Sequence, residues 1–297
     1  MVFRSYHWLC SLFFRSIFIS LALNLSSVAN AQDCSSSTDA AVILAGNNWA
    51  KCEKATSDAL QVGFYEMALC TSKPTFLDDS ACTFLLNSTT SVDVDIQVGA
   101  QVPLLSGGIS IPEGTYTHAM LLIDTSLGLK STFEFDTPQY DGQGNQGNFC
   151  WTNGNPIVWG YSDPNDMVMT CGKTPSPEFS IESFKAFGAD NGGVASRTLN
   201  QTTPDTSYDV YLLSDRVTEA DVRQDGSGYP TGNAEYIWGV QKFNSPPTIT
   251  ANTSVVDMAF KLSEGMGIGF NGYSCDASAA CVEGVNVDGF QFVVTAN

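Results

Sequence analysis

Apolar and polar residues alternate with a period of two over much of the chain, the pattern of strands half buried against a core. Val92, Val94, Ile96 and Val98 fall on one side, with Asp93, Asp95 and Gln97 on the other. The same alternation sets Val256, Met258, Phe260 and Leu262 opposite Asp257, Ala259 and Lys261. It recurs with Met266, Ile268 and Phe270 opposite Gly265, Gly267 and Gly269, and with Phe290, Phe292 and Val294. Shorter stretches at 60–69, 116–123, 132–135, 208–213 and 236–240 add further strands. Helix signals are few: 39–55 offers one short helix and 181–187 a turn or two. Segments rich in Gly, Asn, Asp, Ser and Pro separate the runs, and 136–154, 188–204 and 222–234 read as the longest loops.

Many short strands with turn-rich spacers predict an all-β fold, an antiparallel β-sandwich with little helix. The sandwich is either one large unit or two consecutive blocks, 32–136 and 137–297, divided at the glycine-rich stretch that starts near Asp136. Strand partners distant in sequence would favour the single unit. A membrane barrel is disfavoured, because most of the runs are shorter than the roughly 9–11 residues a spanning strand needs.

The first 31 residues read as an export signal. Arg4 and Arg15 give a basic start, 17–25 is an apolar run broken only by Ser20 and Asn24, and Ala29-Asn30-Ala31 supplies the small-x-small cleavage pattern. The residues before Cys34 lack the pattern of a lipoprotein signal. The expected location is therefore secreted, on the extracellular surface or in the periplasm.

Cysteine usage fits an oxidising compartment. Of nine cysteines, Cys10 leaves with the signal, and an even number remains. Eight cysteines allow 105 pairings. Joining sequence neighbours gives Cys34–Cys52, Cys70–Cys82, Cys150–Cys171 and Cys275–Cys281. A zinc site is the rival reading, but there is no C-x-x-C pair, and His118 is the one histidine left after processing.

Charge narrows the partners. The formal net charge is −18, and loss of Arg4 and Arg15 deepens it by two. Such a surface repels nucleic acid and anionic bilayers. It is compatible with calcium, cationic partners or plain solubility.

At 111–124 the chain reads Ile-Pro-Glu-Gly-Thr-Tyr-Thr-His-Ala-Met-Leu-Leu-Ile-Asp. This Pro-x-Gly-x-Tyr lead into an alternating strand resembles that of bacterial secreted domains with transthyretin-like or immunoglobulin-like β-sandwich folds. The resemblance implies that Pro112 and Gly114 set a turn and that Tyr116 packs where the strand meets the core. It implies no activity.

Candidate chemistry is thin. A serine triad would need His118 as base with Asp124 behind it, yet no Gly-x-Ser-x-Gly elbow accompanies them. Glu134 could join a carboxylate pair for glycoside hydrolysis, although a solvated strand face explains it as well. Calcium suits the oxygen-rich loop of Asp136, Asp141, Asn145 and Asn148, and two smaller clusters, Asp163, Asn165 and Asp166, and Asp221 with Asp225. Trp151, Trp159 and Tyr161 lie close in sequence and could stack on a sugar ring.

These readings favour an exported structural or adhesive cell-surface β-sandwich protein without catalytic activity, its partner a cell-surface protein or glycan. A carbohydrate-binding module comes second and a glycosidase with paired carboxylates third. The flat runs at 265–269 and 289–295 add an expectation of self-association by strand addition if either lies on an open edge.

Overall fold

The alternating runs become long, paired strands. The computed structural model describes residues 32–44, 49–98, 110–158, 164–187, 195–202, 206–225, 230–262, 265–272, 281–287 and 291–296. The export signal, Trp159, Tyr161, Asp163 and Cys275 lie outside the described residues.

In chain order, β1 (Gln32–Asp33) and a five-residue helix α1 (Ala40–Leu44) precede β2 (Trp49–Ala55). Next come β3 (Ala59–Cys70), β4 (Cys82–Gln97), β5 (Gly114–Thr115) and β6 (His118–Lys130). β7 (Thr132–Asp141) and β8 (Gln146–Thr152) form a hairpin, and a 3-10 turn at Pro164–Asp166 leads to β9 (Met169–Gly172) and β10 (Ser180–Ser183). They are followed by β11 (Thr198–Thr202), β12 (Thr206–Leu213), β13 (Val222–Gln224), β14 (Pro230–Gly232) and β15 (Tyr236–Phe243). The last are β16 (Thr248–Ile249), β17 (Val256–Lys261), β18 (Met266–Asn271), β19 (Cys281–Val287) and β20 (Gln291–Ala296).

Two seven-stranded sheets carry the fold. The first runs β1-β2-β18-β19-β7-β8-β9, with β1/β2 and β19/β7 parallel. The second runs β11-β12-β15-β6-β3-β4, and β10 pairs with the later half of β6. Each sheet turns one face to a common core. Cys52, Ile268, Phe270 and Val282 come from the first sheet, and Leu60, Val62, Leu129 and Ile237 from the second. This sandwich-like packing is why the alternation was readable, since every second side chain leaves water. The first sheet draws β2 from early in the chain and β18 and β19 from its end, β7 runs unbroken through position 136, and residues 31–297 form one compact unit.

The short helix expected within 39–55 forms at Ala40–Leu44, and the rest of that stretch, Trp49–Ala55, is strand, with the small residues Ala50, Cys52 and Ala55 on its core side. Other sequence expectations change. Within 181–187 the chain pairs with β6 instead of coiling. Most of 136–154 is the β7–β8 hairpin, whose turn uses Gly144 at φ +82°, a left-handed conformation suited to glycine. Asp136 and Asn148 therefore lie on strands, Asp141 is buried at the end of β7, and Asn145 is in the turn.

The disulfides Cys34–Cys52, Cys70–Cys82 and Cys150–Cys171 are formed, the last two between directly opposed residues of neighbouring strands. Cys281 is also disulfide-bonded, and Cys275 lies outside the described residues. Tyr116 is 1% exposed and its hydroxyl donates to the Pro112 carbonyl at 2.8 Å, tying the turn to the strand it precedes. β18 is an interior strand, flanked by β2 and β19. β20 pairs with β17 in a separate two-stranded sheet. Phe260 of β17 packs on Phe64 and Phe292, with ring centroids 5.3 Å apart in both cases. Among the described residues no helix is long and apolar enough to cross a membrane.

Candidate ligand-binding face of the first sheet

The outward face of β2, β18 and β19 differs from the core face in composition. Ala50, Cys52, Ile268, Phe270, Val282 and Val285 point inward. Trp49, Lys51 and Glu53 therefore point outward on β2, as do Gly267, Gly269 and Asn271 on β18 and Gly284 and Asn286 on β19. Strand register aligns them in rows. Trp49 lies beside Asn271, Lys51 beside Gly269 and Gly284, and Gly267 beside Asn286.

Two bulges shape this face. Lys54 has φ 62° where β2 shifts register against β18, which returns Ala55 to the core. On β19 the register shifts between Val282 and Gly284, so Glu283 is the extra residue and joins the outward side. Its carboxylate is hydrogen-bonded by the Asn271 side chain.

Gly267 matters because other side chains occupy the space a Cβ would fill. At Gly267 that Cβ would sit 2.5 Å from Asn286 Oδ1 and 2.8 Å from Glu53 Oε2. Side chains from the two strands flanking β18 thus meet above it. At Gly269 a Cβ would lie 3.6 Å from both Trp49 Nε1 and the Gly284 carbonyl oxygen, an ordinary contact that places the indole beside this glycine. Lys51 Nζ is paired with Glu53 Oε1 at 2.6 Å.

Charge on this face is held under tension. Glu283 is only 7% exposed and its Oε2 is buried with no hydrogen-bond partner. Burial pushes its pKa upward, and the Asn271 bond opposes the shift in part. At the end of β19, Glu182 of β10 accepts from the Val287 amide at 3.0 Å. Burial drives Glu182 up to about 7, against the lowering effects of that bond and of the Lys51 charge.

The residues singled out from the sequence lie elsewhere. Asp141 is buried and its carboxylate accepts from the amides of Gln143, Asn145 and Cys171 and from Asn145 Nδ2, at 2.9–3.0 Å. Asn148 Nδ2 donates to the carbonyls of Phe135 and Asp136, whose own side chain is exposed. Asn165 and Asp166 sit in the exposed 3-10 turn, Asp221 pairs with Arg223, and Asp225 is exposed. Among the described residues no group of three or more His, Cys, Asp or Glu could hold a metal ion.

Trp151 is 9% exposed and lies over Gly172, where a Cβ would be 2.9 Å from its ring. His118 is buried with Nδ1 bonded to Thr117 Oγ1 at 2.8 Å, and burial lowers its pKa. Asp124, six positions along the same strand, is about 20 Å away, and Glu134 is exposed on β7.

Trp49, Lys51, Glu53, Glu283 and Asn286 were missed as a group. Their one sequence signal was the glycine alternation of β18, which marks a close approach by neighbours. The chain matches no protein-family model, no curated protein and no solved structure.

Proposed function

We propose that this chain is an exported, non-catalytic β-sandwich protein that adheres at the cell surface by binding a neutral glycan on the outward face of β2, β18 and β19. The observation that supports it is the gathering of the Trp49 indole, the Glu53 carboxylate and the Asn271 and Asn286 carboxamides on a single sheet face that Gly267, Gly269 and Gly284 leave bare. A sugar ring buries its C–H face against an aromatic plane, while its hydroxyls need acceptors and donors at fixed positions. Trp49 offers the plane. Glu53, Asn271 and Asn286 offer the polar contacts, and Glu283, buried beneath them, orients the Asn271 side chain through its hydrogen bond.

Binding without hydrolysis follows from how the carboxylates are held. Glycoside cleavage needs two carboxyl groups free to flank the scissile bond. Glu53 is engaged by Lys51, and Glu283 is enclosed and hydrogen-bonded by Asn271. Formed disulfides suit an oxidising compartment, and the acidic balance disfavours phosphate-rich ligands.

A glycan array probed with the disulfide-intact protein tests the proposal. Hits should fall at least about tenfold in Trp49→Ala, should weaken in Asn286→Ala and should persist in Trp151→Phe. A blank array, or hits indifferent to Trp49→Ala, overturns it. Release of reducing ends from a bound glycan would make the protein a hydrolase instead.

A further inference from the structure

We propose that the open edge of β4 is a docking strand for an extended, basic segment of another protein. Among the described residues β4 is the last strand of the second sheet and pairs only with β3. Register fixes the direction of its main chain. The Val98 amide donates to the Asp58 carbonyl, and the β3/β4 register continues as Ile96 opposite Leu60, Val94 opposite Val62 and Val92 opposite Phe64. Those residues turn their main-chain groups toward β3, so Asp93, Asp95 and Gln97 turn theirs away from the sheet. Among the described residues nothing bonds these outward amides and carbonyls.

The edge is closed on one side of this stretch. Four residues, 88–91, bulge out between the pairs Glu66–Asn87 and Phe64–Val92. Ser88 Oγ bonds both main-chain groups of Thr90, and Arg216 donates to the Ser88 carbonyl at 2.5 Å. The open segment is therefore 92–98, roughly 20 Å long, enough for one short strand.

Charge selects the occupant. Asp93 and Asp95 project on the outer face of the sheet, with Asp124 close by. A Cβ on Gly63 would lie 3.1 Å from Asp93 Oδ1 and 3.3 Å from the Asp124 Cβ. Among the described residues no Lys or Arg pairs with any of the three. A second copy of a chain with net charge −18 would set these carboxylates against their own kind. A segment with Lys or Arg at every second position would place its cations beside Asp93 and Asp95, and Asp124 on β6 adds to the negative charge of the same face. Its intervening apolar residues would meet Val92 and Val98, which are 38% and 50% exposed. Main-chain bonds supply the affinity of such a contact, and the alternating side chains supply its selectivity. The site uses the other sheet from the glycan face and stands or falls independently of it.

The test uses the full, disulfide-intact chain and a synthetic peptide of about nine residues alternating Lys with Val. Calorimetry should detect binding that weakens with salt, and hydrogen exchange should slow at the amides of Asp93, Asp95 and Gln97. Asp95→Pro removes one outward amide while sparing the β3 side, so binding should drop by about tenfold or more. The Asp93→Asn, Asp95→Asn pair should weaken binding about three- to tenfold and flatten the salt dependence, yet leave exchange protection in place. Should Asp95→Pro not fold, a peptide N-methylated at alternate residues makes the same test on the wild-type chain and should not bind. The proposal is overturned by unprotected edge amides, by equal binding of Asp95→Pro or of the N-methylated peptide, or by edge-to-edge pairing of two copies in sedimentation.

Discussion

Gln241 of β15 holds Phe292 of β20 by both of its main-chain groups. The side-chain Nε2 donates to the Phe292 carbonyl at 2.7 Å, and Oε1 accepts from the Phe292 amide at 2.8 Å. One carboxamide thus stands in for a neighbouring strand and fixes the β17–β20 pair over the second sheet. Both bonds are buried, so Gln241→Ala leaves an orphaned donor and an orphaned acceptor on Phe292. A loss of about 2–4 kcal/mol is expected. Gln241→Glu should also destabilise, because a carboxylate cannot donate to the carbonyl. Urea denaturation measures the loss, and faster exchange at the Phe292 amide places it.

Glu182 makes stability depend on pH in a definite direction. Its folded pKa of about 7 lies above its ordinary value of 4.5. Below pH 4.5 the group is neutral in both states and imposes no penalty. As pH rises from 4.5 to 7 the unfolded chain ionises first, so this contribution is lost across that window by up to about 3 kcal/mol and then levels off. Glu182→Gln keeps an acceptor for the Val287 amide and removes the ionisation. The variant should match the wild type near pH 4 and exceed it near pH 8, by about 1–3 kcal/mol in urea denaturation. An unchanged difference between the two pH values would remove Glu182 from the balance.

What the sequence revealed and what it hid have physical reasons. The strands at 92–98, 256–262 and 266–270 were legible because large apolar residues alternate there with polar residues or, at 266–270, with glycine. β2 was not, because its core side is Ala50, Cys52 and Ala55, a pattern equally suited to a helix. Polar positions such as Asn145 and Asn148 suggested a cation loop, yet their hydrogen-bonding capacity goes into the hairpin itself. The candidate glycan face was hidden for another reason. Trp49 and Asn286 are separated by most of the chain and share a face only because β18 brings β2 and β19 to either side of itself. Edge status was equally out of reach, since an alternating run looks the same whether it lies inside a sheet, as β18 does, or on its rim, as β4 does.

The Cys70–Cys82 bridge carries a measurable share of stability. It closes the loop 71–81 onto the outer face of the second sheet, where Phe76 meets Tyr211 at 5.7 Å and Trp238 at 5.9 Å between ring centroids. Replacing both cysteines with alanine frees the unfolded chain and should cost about 3 kcal/mol. Exchange should quicken across 71–81 and at Trp238 before it does in β18. Uniform loosening of the whole fold would instead mean that the bridge acts only by restricting the unfolded chain and does not seat Phe76.

Two glycines should respond in opposite ways to alanine. Gly239 of β15 faces a cavity of about 90 Å³ lined by Leu121, Val210, Ile237 and Phe292, and a Cβ there would meet nothing within 4 Å. Its backbone is not in the left-handed region, so Gly239→Ala fits without a clash and restricts the unfolded chain. A gain of about 0.5–1 kcal/mol is expected. Gly147 is the contrast, because a Cβ there would lie 2.0 Å from the Gly172 carbonyl oxygen, main chain that cannot swing aside. Gly147→Ala should force β8 from β9 beside the Cys150–Cys171 bridge and cost more than about 3 kcal/mol. Thermal unfolding of the two variants side by side decides it. A destabilised Gly239→Ala would mean the cavity is filled, and a tolerated Gly147→Ala would mean the two strands lie farther apart than their register implies.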